Sequence, residues 1–231
     1  MRAMILAAGR GERMRPLTDT VPKPLLQVGG KPLLCYHLEK LAEQGVNRVV
    51  INHAWLGQLI EQVVGDGQQF GLEVCYSPEP KGGLETAGGI IRALPLLGDE
   101  PFWVINGDIF TTFDFSRLPR TLADHEMAHL LLTSNPAHHP QGDFSVQHGL
   151  LQLRNPMWPS FTYSGMGLYS PSFFSEYEPG SAQYLKLRPL LDQGIANQCI
   201  GATVFADSWT DVGTPDRLAA LAATFTHHSA E

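Results

Sequence analysis

The N-terminal segment AMILAAGRGERMRPLT (residues 3–18) changes from apolar residues to two glycines and then to a group of basic residues. Gly9 and Gly11 permit a tight turn whose uncovered backbone N–H groups can cradle a phosphate. A dinucleotide-binding fingerprint would have its third glycine at position 14, which here is methionine, whereas Arg13 offers a guanidinium to a phosphate. Lys23 lies between two prolines that fix its backbone and is a second candidate cation. These residues predict a site for a phosphate-bearing ligand, and the alternative is a glycine-rich turn with solvated basic side chains.

Two aspartates follow turn-forming residues farther along the chain. Asp108 ends the sequence Asn-Gly-Asp directly after the apolar residues 102–105, and Asp211 stands two residues before Gly213. Carboxylates are ligands that Mg²⁺ prefers, but aspartate is also common in turns of this composition. Neither aspartate by itself distinguishes a metal ligand from a turn former.

Composition and charge argue against several classes of protein. With 231 residues, 43% of them hydrophobic and 17% charged, the chain is long enough for one globular core. A net charge of −7 argues against nucleic acid or an anionic membrane surface as the main partner, and no apolar stretch has membrane-spanning length. The three cysteines (Cys35, Cys75 and Cys199) are widely spaced and odd in number, which argues against a disulfide framework or a zinc site. We therefore expect a cytoplasmic protein.

Apolar runs alternate with helical patterns along the first 140 residues. We predict strands at 2–8, 48–52, 72–76, 102–105 and 128–133, and helices at 32–44, 56–64, 85–97 and 215–225. Later short strands are predicted at 144–153, 162–169 and 198–205. This order predicts a Rossmann-like three-layer α/β/α fold with a mixed, mainly parallel sheet, in one domain over residues 1–225 with a flexible tail at 226–231. Ligands of such sheets bind where strands end, which directs attention to residues 9–15 and 106–108.

Several longer motifs carry a resemblance to a known family. They are LAAGRGERMRPLT (6–18), PKPL (22–25), KPL (31–33), GLETAGG (83–89), NGD (106–108) and WTDVGTP (209–215). Together they resemble the sugar-phosphate nucleotidylyltransferases, and the resemblance extends from residue 3 to about residue 217. Within that family the chain is similar to short uridylyltransferases that act on N-acetylmuramic acid 1-phosphate in a cell-wall recycling route of Gram-negative bacteria.

The resemblance implies a direct transfer between UTP and a sugar 1-phosphate, with no covalent enzyme intermediate. It implies Mg²⁺ held by Asp108 and Asp211, and it makes these two aspartates, Arg13 and Lys23 the catalytic residues. Arg13 would bind the pyrophosphate, and Lys23 the α-phosphate or the incoming sugar phosphate. The expected nucleotide contacts are Ala7, Ala8, Gly9, Gly11, Glu12, Arg13, Lys23, Glu79, Gly83 and Thr86. The expected sugar-phosphate contacts are Asn106, Asp143, Ser164, Gly165 and Lys186.

The resemblance leaves some alternatives open. The predicted partners are UTP and the sugar 1-phosphate, without nucleic acid or membrane, for a monomer or weak homo-oligomer. His138 and His139 are either further sugar contacts or a solvated turn beside Pro140. A sister enzyme would use another pair, such as GTP with a mannose or heptose phosphate, or dTTP with glucose 1-phosphate. A non-catalytic nucleotide-binding protein is disfavoured by the four catalytic residues, and a dinucleotide-dependent oxidoreductase by the missing third glycine.

Overall fold

The computed structural model describes residues 1–227, with side chains for residues 1–225. This part of the chain contains the strands β1 (Arg2–Leu6), β2 (Gln27–Val28), β3 (Lys31–Pro32), β4 (Arg48–His53), β5 (Glu73–Pro78), β6 (Phe102–Asn106), β7 (Ile109–Thr111), β8 (Ala128–Thr133), β9 (Phe144–Gln147), β10 (Leu150–Leu153), β11 (Ser160–Tyr169), β12 (Ile200–Val204) and β13 (Trp209–Asp211). It also contains the helices α1 (Leu33–Glu43), α2 (Gly57–Val64), α3 (Glu85–Leu97), α4 (Leu187–Ala196) and α5 (Pro215–His227). None of these helices of the described chain combines the length and apolarity needed to cross a bilayer.

Nine of the strands form one mixed sheet in the order β5-β4-β1-β6-β11-β8-β12-β10-β9. β5, β4, β1 and β6 are parallel neighbours, and so are β8 and β12. β11 runs antiparallel to both β6 and β8, and β10 runs antiparallel to β12 and β9. The other four strands form two short ribbons, β2–β3 and β7–β13. The predicted mixed α/β fold is confirmed, with β11 reversing the strand direction in the middle of the sheet.

Helices cover both faces of the sheet because alternate side chains of its buried strands point to opposite faces. Ala3 and Ile5 of β1 belong to the same apolar cluster as residues of α1 and α2, whereas Met4 belongs to the cluster of α3 and α4. A smaller cluster joins Met14, Val212 and Leu221 of α5. This third cluster ties the segment after Arg13 to the segment after Asp211, two of the predicted catalytic residues.

The structure departs from the predicted elements: β1 ends at Leu6 rather than at residue 8, the ribbon strands β2, β3, β7 and β13 were not predicted, and three further differences concern α4, the segment 144–153 and α5. The sequence pattern does not predict α4, because Pro189 and Gly194 have low helix propensity, yet a proline is tolerated in the first turn. The single strand expected at 144–153 is the hairpin β9–β10, whose turn residues His148 and Gly149 both have positive φ. The backbone of α5 continues to His227, and the remainder of the predicted tail, residues 228–231, lies outside the described residues.

Candidate active site

Polar side chains stand in register at the carboxyl end of the parallel strands. Leu6 ends β1 and pairs with Asn52 of β4 on one side and with Asn106 of β6 on the other. From these ends the chain enters the glycine loop, which we define as residues 7–15, and the turn of residues 106–108. The two conspicuous strand ends of the sequence therefore lie side by side at one edge of the sheet.

Two clefts open at this edge and meet. The larger cleft, of about 500 Å³, is lined by the glycine loop, Glu79 and residues 82–86. The smaller cleft, of about 380 Å³, is lined mainly by His138, His139, Thr162, Tyr163, Ser164, Trp209 and Asp211. Arg13, Asn106 and Asp108 line both clefts. Two ligands, one in each cleft, would therefore meet next to Asp108.

The predicted nucleotide contacts lie together. All ten residues in that prediction, from Ala7 to Thr86, line the larger cleft. Of the two glycines in the loop, Gly11 needs a left-handed backbone, with φ 69°, and a Cβ there would lie 2.9 Å from the Thr18 methyl group. The Gly11 carbonyl accepts hydrogen bonds from the Met14 N–H at 2.9 Å and from the Thr18 hydroxyl at 2.7 Å. A Cβ at Gly9 would meet no atom within 4 Å, so the loop backbone is uncovered there.

The two predicted phosphate-binding cations have different surroundings. Lys23 is only 8% exposed, and its ammonium forms an ion pair with the Asp108 carboxylate. Arg13 is exposed, lines both clefts, and forms no hydrogen bond or ion pair with any other described residue. Arg13 is therefore available to an anion at the junction of the clefts, whereas Lys23 already neutralises a carboxylate there.

The two aspartates lie at the same end of the β7–β13 ribbon. Asp211 pairs with Ile109 across the ribbon, and the Val212 N–H donates to the Asp108 carbonyl at 2.8 Å. Arg217 Nη1 donates to both carboxylate oxygens of Asp211 at 2.5 Å. His138 Nε2 lies 3.0 Å from Asp211 Oδ1. Asp211, like Asp108, is thus paired with a cation of the chain itself.

Asp108 and Asp211 fit the requirements of Mg²⁺. Both line the smaller cleft, and both offer only oxygen donors. Among the side chains of residues 1–225 no group of three or more acidic, histidine or cysteine residues is arranged to hold a metal ion. The protein would therefore supply two carboxylates, and phosphate oxygens and water the remaining ligands, which is how Mg²⁺ is commonly bound beside phosphate substrates. Such an ion would take the place that Lys23 and Arg217 now occupy on these carboxylates.

A chain of hydrogen bonds from Ala7 through Asn52 and Glu79 to Leu84, which we call the relay, lies at the bottom of the larger cleft. The Ala7 N–H donates to Asn52 Oδ1 at 2.8 Å, and Asn52 Nδ2 donates to Glu79 Oε1 at 2.6 Å. The second oxygen, Glu79 Oε2, accepts from the Leu84 N–H at 2.7 Å. Burial raises the pKa of Glu79, while these two donors act in the opposite direction. The relay thus fixes the Glu79 carboxylate between the glycine loop and the 82–86 segment.

The predicted sugar contacts are only partly brought together. Asn106 and Ser164 line the smaller cleft, but the Ser164 hydroxyl is already donated to the Leu131 carbonyl at 2.7 Å. Gly165 lines neither cleft. It lies in a bulge of β11 with φ 79°, where a Cβ would come within 2.6 Å of the Asn106 amide nitrogen. Gly165 therefore allows Asn106 its place in the cleft.

Two further predicted sugar contacts lie outside both clefts. The Asp143 carboxylate is 3.0 Å from His139 Nε2 through one oxygen and accepts the Tyr163 N–H at 2.9 Å through the other. Lys186 is an exposed residue directly before α4, and it has no ion pair or hydrogen bond within the described part of the chain. Geometry thus separates Asp143 and Lys186 from the residues around Asp108.

Among the residues of the site that the sequence interpretation missed, Asn52 and Arg217 each carry a signal in the sequence. Asn52 is a polar residue at the end of the apolar strand RVVIN, which is where a sheet of this kind binds ligands. Arg217 is a cation in the first turn of α5, where the helix dipole disfavours positive charge and a separate partner is expected. His138 and His139 both line the smaller cleft, which favours the first of the two alternatives for this pair.

The chain is similar in sequence to known nucleotidyl transferases. The family model "Nucleotidyl transferase" matches residues 2–146. The chain is 50% identical over 222 residues to N-acetylmuramate alpha-1-phosphate uridylyltransferase of Neisseria meningitidis serogroup B, which covers 94% of this chain and 95% of that relative.

Solved structures share the fold. A Bacillus anthracis protein assigned as a glucose-1-phosphate thymidylyltransferase superposes with a TM-score of 0.80 at 24% identity, covering 97% of this chain and 95% of that one. The inositol-1-phosphate CTP transferase from T. maritima gives a TM-score of 0.77 at 19% identity, covering 97% and 96%. At these identities the likeness concerns the fold alone, whereas the family model covers more than half of the chain. Family model and relative together confirm the resemblance read from the motifs: the chain belongs to the nucleotidyl transferase family of enzymes.

Proposed function

We propose that this chain transfers a uridylyl group from UTP to N-acetylmuramic acid α-1-phosphate, forming UDP-N-acetylmuramic acid and pyrophosphate. One observation carries the proposal: the larger cleft, lined by every predicted nucleotide contact, joins the smaller cleft at Arg13, Asn106 and Asp108. A nucleotide and a sugar phosphate can therefore meet end to end at one carboxylate. The half-identical relative, which carries the corresponding name, supports the choice of this substrate pair.

The transfer requires positioning more than covalent assistance. A phosphate oxygen of the sugar 1-phosphate attacks the α-phosphorus of UTP and forms the new P–O bond. The bond from the α-phosphorus to the oxygen bridging to the β-phosphate breaks, and its electron pair leaves with pyrophosphate. Both substrates are polyanions, so bringing them together depends on neutralising charge and on alignment. The site offers no nucleophile–base pair, and the reaction needs none.

Each charged residue at the junction has a part in this step. Arg13, which lacks a protein partner among residues 1–225, would bind the departing pyrophosphate. Lys23 would turn from Asp108 to the α-phosphate or the sugar phosphate. Asp108 and Asp211 would hold Mg²⁺, which when bound supplies positive charge to phosphate oxygens. Lys23 and Arg217 keep the two carboxylates neutralised and in place until then.

Different parts of the two clefts would contact the uracil and the sugar. Uracil carries one N–H between two carbonyls, so an acceptor together with backbone groups suits it. The Glu79 carboxylate is that acceptor, and Ala7, Ala8 and Gly83 offer backbone groups beside it. The sugar would lie in the smaller cleft, against Asn106 and the wall of residues 162–164. We further propose that the enzyme acts in the cytoplasm, where UTP is made, in the recycling of cell-wall sugars.

A substrate panel tests this function. Pyrophosphate release would be followed for UTP, GTP and dTTP, each combined with N-acetylmuramic acid 1-phosphate, mannose 1-phosphate and glucose 1-phosphate, with and without Mg²⁺. We expect the highest kcat/KM for UTP with N-acetylmuramic acid 1-phosphate, activity only with the metal, and a strongly reduced rate in an Asp108→Asn control. Equal or better turnover of another pair would assign a sister activity, and nucleotide binding without pyrophosphate release would assign a non-catalytic protein.

A further inference from the structure

One wall of the smaller cleft is a fixed turn that carries two histidines. We call residues 136–143 the histidine turn. The His139 N–H donates to the Pro136 carbonyl at 2.8 Å, and the Gly142 N–H donates back to the His139 carbonyl at 3.1 Å. The Asn135 side chain fastens the turn to β11 by donating to the Ser160 carbonyl at 3.1 Å. These bonds hold the turn in one conformation, unlike a loose solvated loop.

Each histidine ring is oriented by a carboxylate through its Nε2 atom. Asp143 Oδ1 lies 3.0 Å from His139 Nε2, and Asp143 Oδ2 accepts the Tyr163 N–H at 2.9 Å. Since Asp143 lines neither cleft, its effect on a ligand must pass through His139. The His139 side chain is 41% exposed, and its Nδ1 has no hydrogen-bond partner among the side chains and backbone of residues 1–225. This nitrogen is the one left for a ligand.

The neighbouring ring, His138, contacts the permanently charged Arg217. His138 is 43% exposed, and its Nε2 lies 3.0 Å from Asp211 Oδ1 and 2.8 Å from Arg217 Nη1. Arg217 is permanently charged, so a guanidinium lies beside the two imidazoles of the histidine turn. A divalent cation on Asp211 would remove the counter-ion of Arg217 and leave this wall more positive. A neutral sugar hydroxyl would not match that charge, whereas a carboxylate would.

We propose that the histidine turn recognises a carboxylate which the sugar carries in addition to its 1-phosphate, with His139 as the contact and Asp143 as its positioning residue. The inference rests on the proposed function and deepens it, because it names the part of the chain that distinguishes an acidic sugar phosphate from a neutral one. A ring N–H donating to a carboxylate forms a charge-assisted hydrogen bond because the acceptor is ionised, which makes it about twice as strong as a neutral one. Asp143 holds the ring through Nε2, and His139 lines the smaller cleft.

A comparison of two sugars tests the proposal. With UTP saturating, kcat/KM would be measured for N-acetylmuramic acid 1-phosphate and for N-acetylglucosamine 1-phosphate, which lacks the carboxylate. We expect His139→Ala to lower the ratio of the two values about tenfold, through a higher KM for the acidic sugar. The kcat/KM for the neutral sugar should change less than about twofold. His125→Ala is the matched control, since His125 is exposed in the loop before β8, at the end of that strand remote from Thr133 and the cleft.

A double-mutant cycle separates positioning from direct contact. In Asp143→Asn the amide NH₂ must face either His139 Nε2 or the Tyr163 N–H. The His139 ring then loses its fixed orientation, and we expect the ratio of kcat/KM for the acidic sugar to that for the neutral sugar to fall severalfold. In the His139→Ala background the same change should leave the ratio unchanged. His139→Gln keeps a side-chain donor but not the ring, and its ratio should lie between those of the wild type and His139→Ala. Thermal unfolding of every variant confirms that it is folded.

Each outcome decides one claim. A wild-type enzyme that prefers the neutral sugar would overturn the proposed function, and the inference with it. A wild-type enzyme that prefers the acidic sugar, with a ratio that His139→Ala leaves unchanged, would overturn the inference alone. A ratio that Asp143→Asn still lowers when His139 is absent would show that Asp143 does not act through His139 and would refute its positioning role.

Discussion

Replacing Asn52 by alanine provides a demanding test of the relay beneath the larger cleft. Asn52 is 2% exposed, and its two polar atoms serve two different partners. Its Oδ1 accepts the Ala7 N–H, and its Nδ2 donates to the Glu79 carboxylate. Asn52→Ala removes both bonds, so the buried Ala7 N–H loses its acceptor and the Glu79 carboxylate loses a donor.

The size of the effect follows from these two losses. A buried backbone N–H left without a partner costs about 1–3 kcal/mol, and a hydrogen bond to a charged group contributes about as much. Water entering from the cleft offsets part of the sum, so we expect the free energy of unfolding to fall by about 2–4 kcal/mol. For a chain of this length each kcal/mol lowers Tm by about 2–4 °C, which gives a shift on the order of 10 °C. Losing the Asn52 donor also raises the pKa of Glu79 further.

The assay combines stability with kinetics. Thermal unfolding gives the Tm, and initial rates give KM separately for UTP and for the sugar phosphate. We expect a higher KM for UTP and an unchanged KM for the sugar, because the relay borders only the larger cleft. Ser77→Ala is the matched control, since Ser77 is 4% exposed and pairs with Asn52 across β4 and β5, but its hydroxyl forms no hydrogen bond within the described residues. An Asn52→Ala enzyme with wild-type Tm and KM would refute the reasoning.

Four further predictions concern charge. Asp108→Asn and Asp211→Asn should unfold near the wild-type temperature and lower kcat about a hundredfold or more, because they remove charge from the cleft edge without opening the core; normal turnover of both would refute the metal assignment. Lys23→Ala should cut kcat by a similar factor, measured as pyrophosphate release. Chelation by EDTA should stop the reaction, and added Mg²⁺ should restore it. Burial lowers the pKa of His37 from 6.5 to about 4, so the unfolded chain binds the extra proton between these values. This part of the stability is therefore complete above pH 6.5 and falls by about 3 kcal/mol as the pH drops to about 4, a loss that denaturant unfolding of His37→Gln should not show.

Local spacing predicted much of the fold and part of the site. Continuous apolar runs identified the central parallel strands, because strands covered on both faces need apolar side chains in succession. The glycine loop was predictable since Gly11 takes the left-handed backbone that few other residues adopt. Helix α4 was not predictable, because Pro189 and Gly194 lower the helix propensity of a segment that packing against the sheet stabilises.

The partners of the charged residues were beyond the sequence. Lys23 and Asp108 are 85 residues apart, and His138 meets Arg217 across 79 residues. The resemblance implied that Asp143 contacts the sugar phosphate, but in the fold its two carboxylate oxygens contact His139 and the Tyr163 N–H. Such pairings depend on strand order and register, which no local pattern records.

The sequence by itself determined that a phosphate-binding loop leaves the first strand of an α/β sheet and that two aspartates follow distant turns. These features depend on backbone geometry within a few residues of the chain. Only the tertiary structure decided that the β7–β13 ribbon brings the two aspartates together, that two clefts meet over one of them, and that Asn52 and Arg217 belong to the site. Which of these residues come together is set by the order of the strands in the sheet and by the antiparallel direction of β11, and both are properties of the whole packed chain.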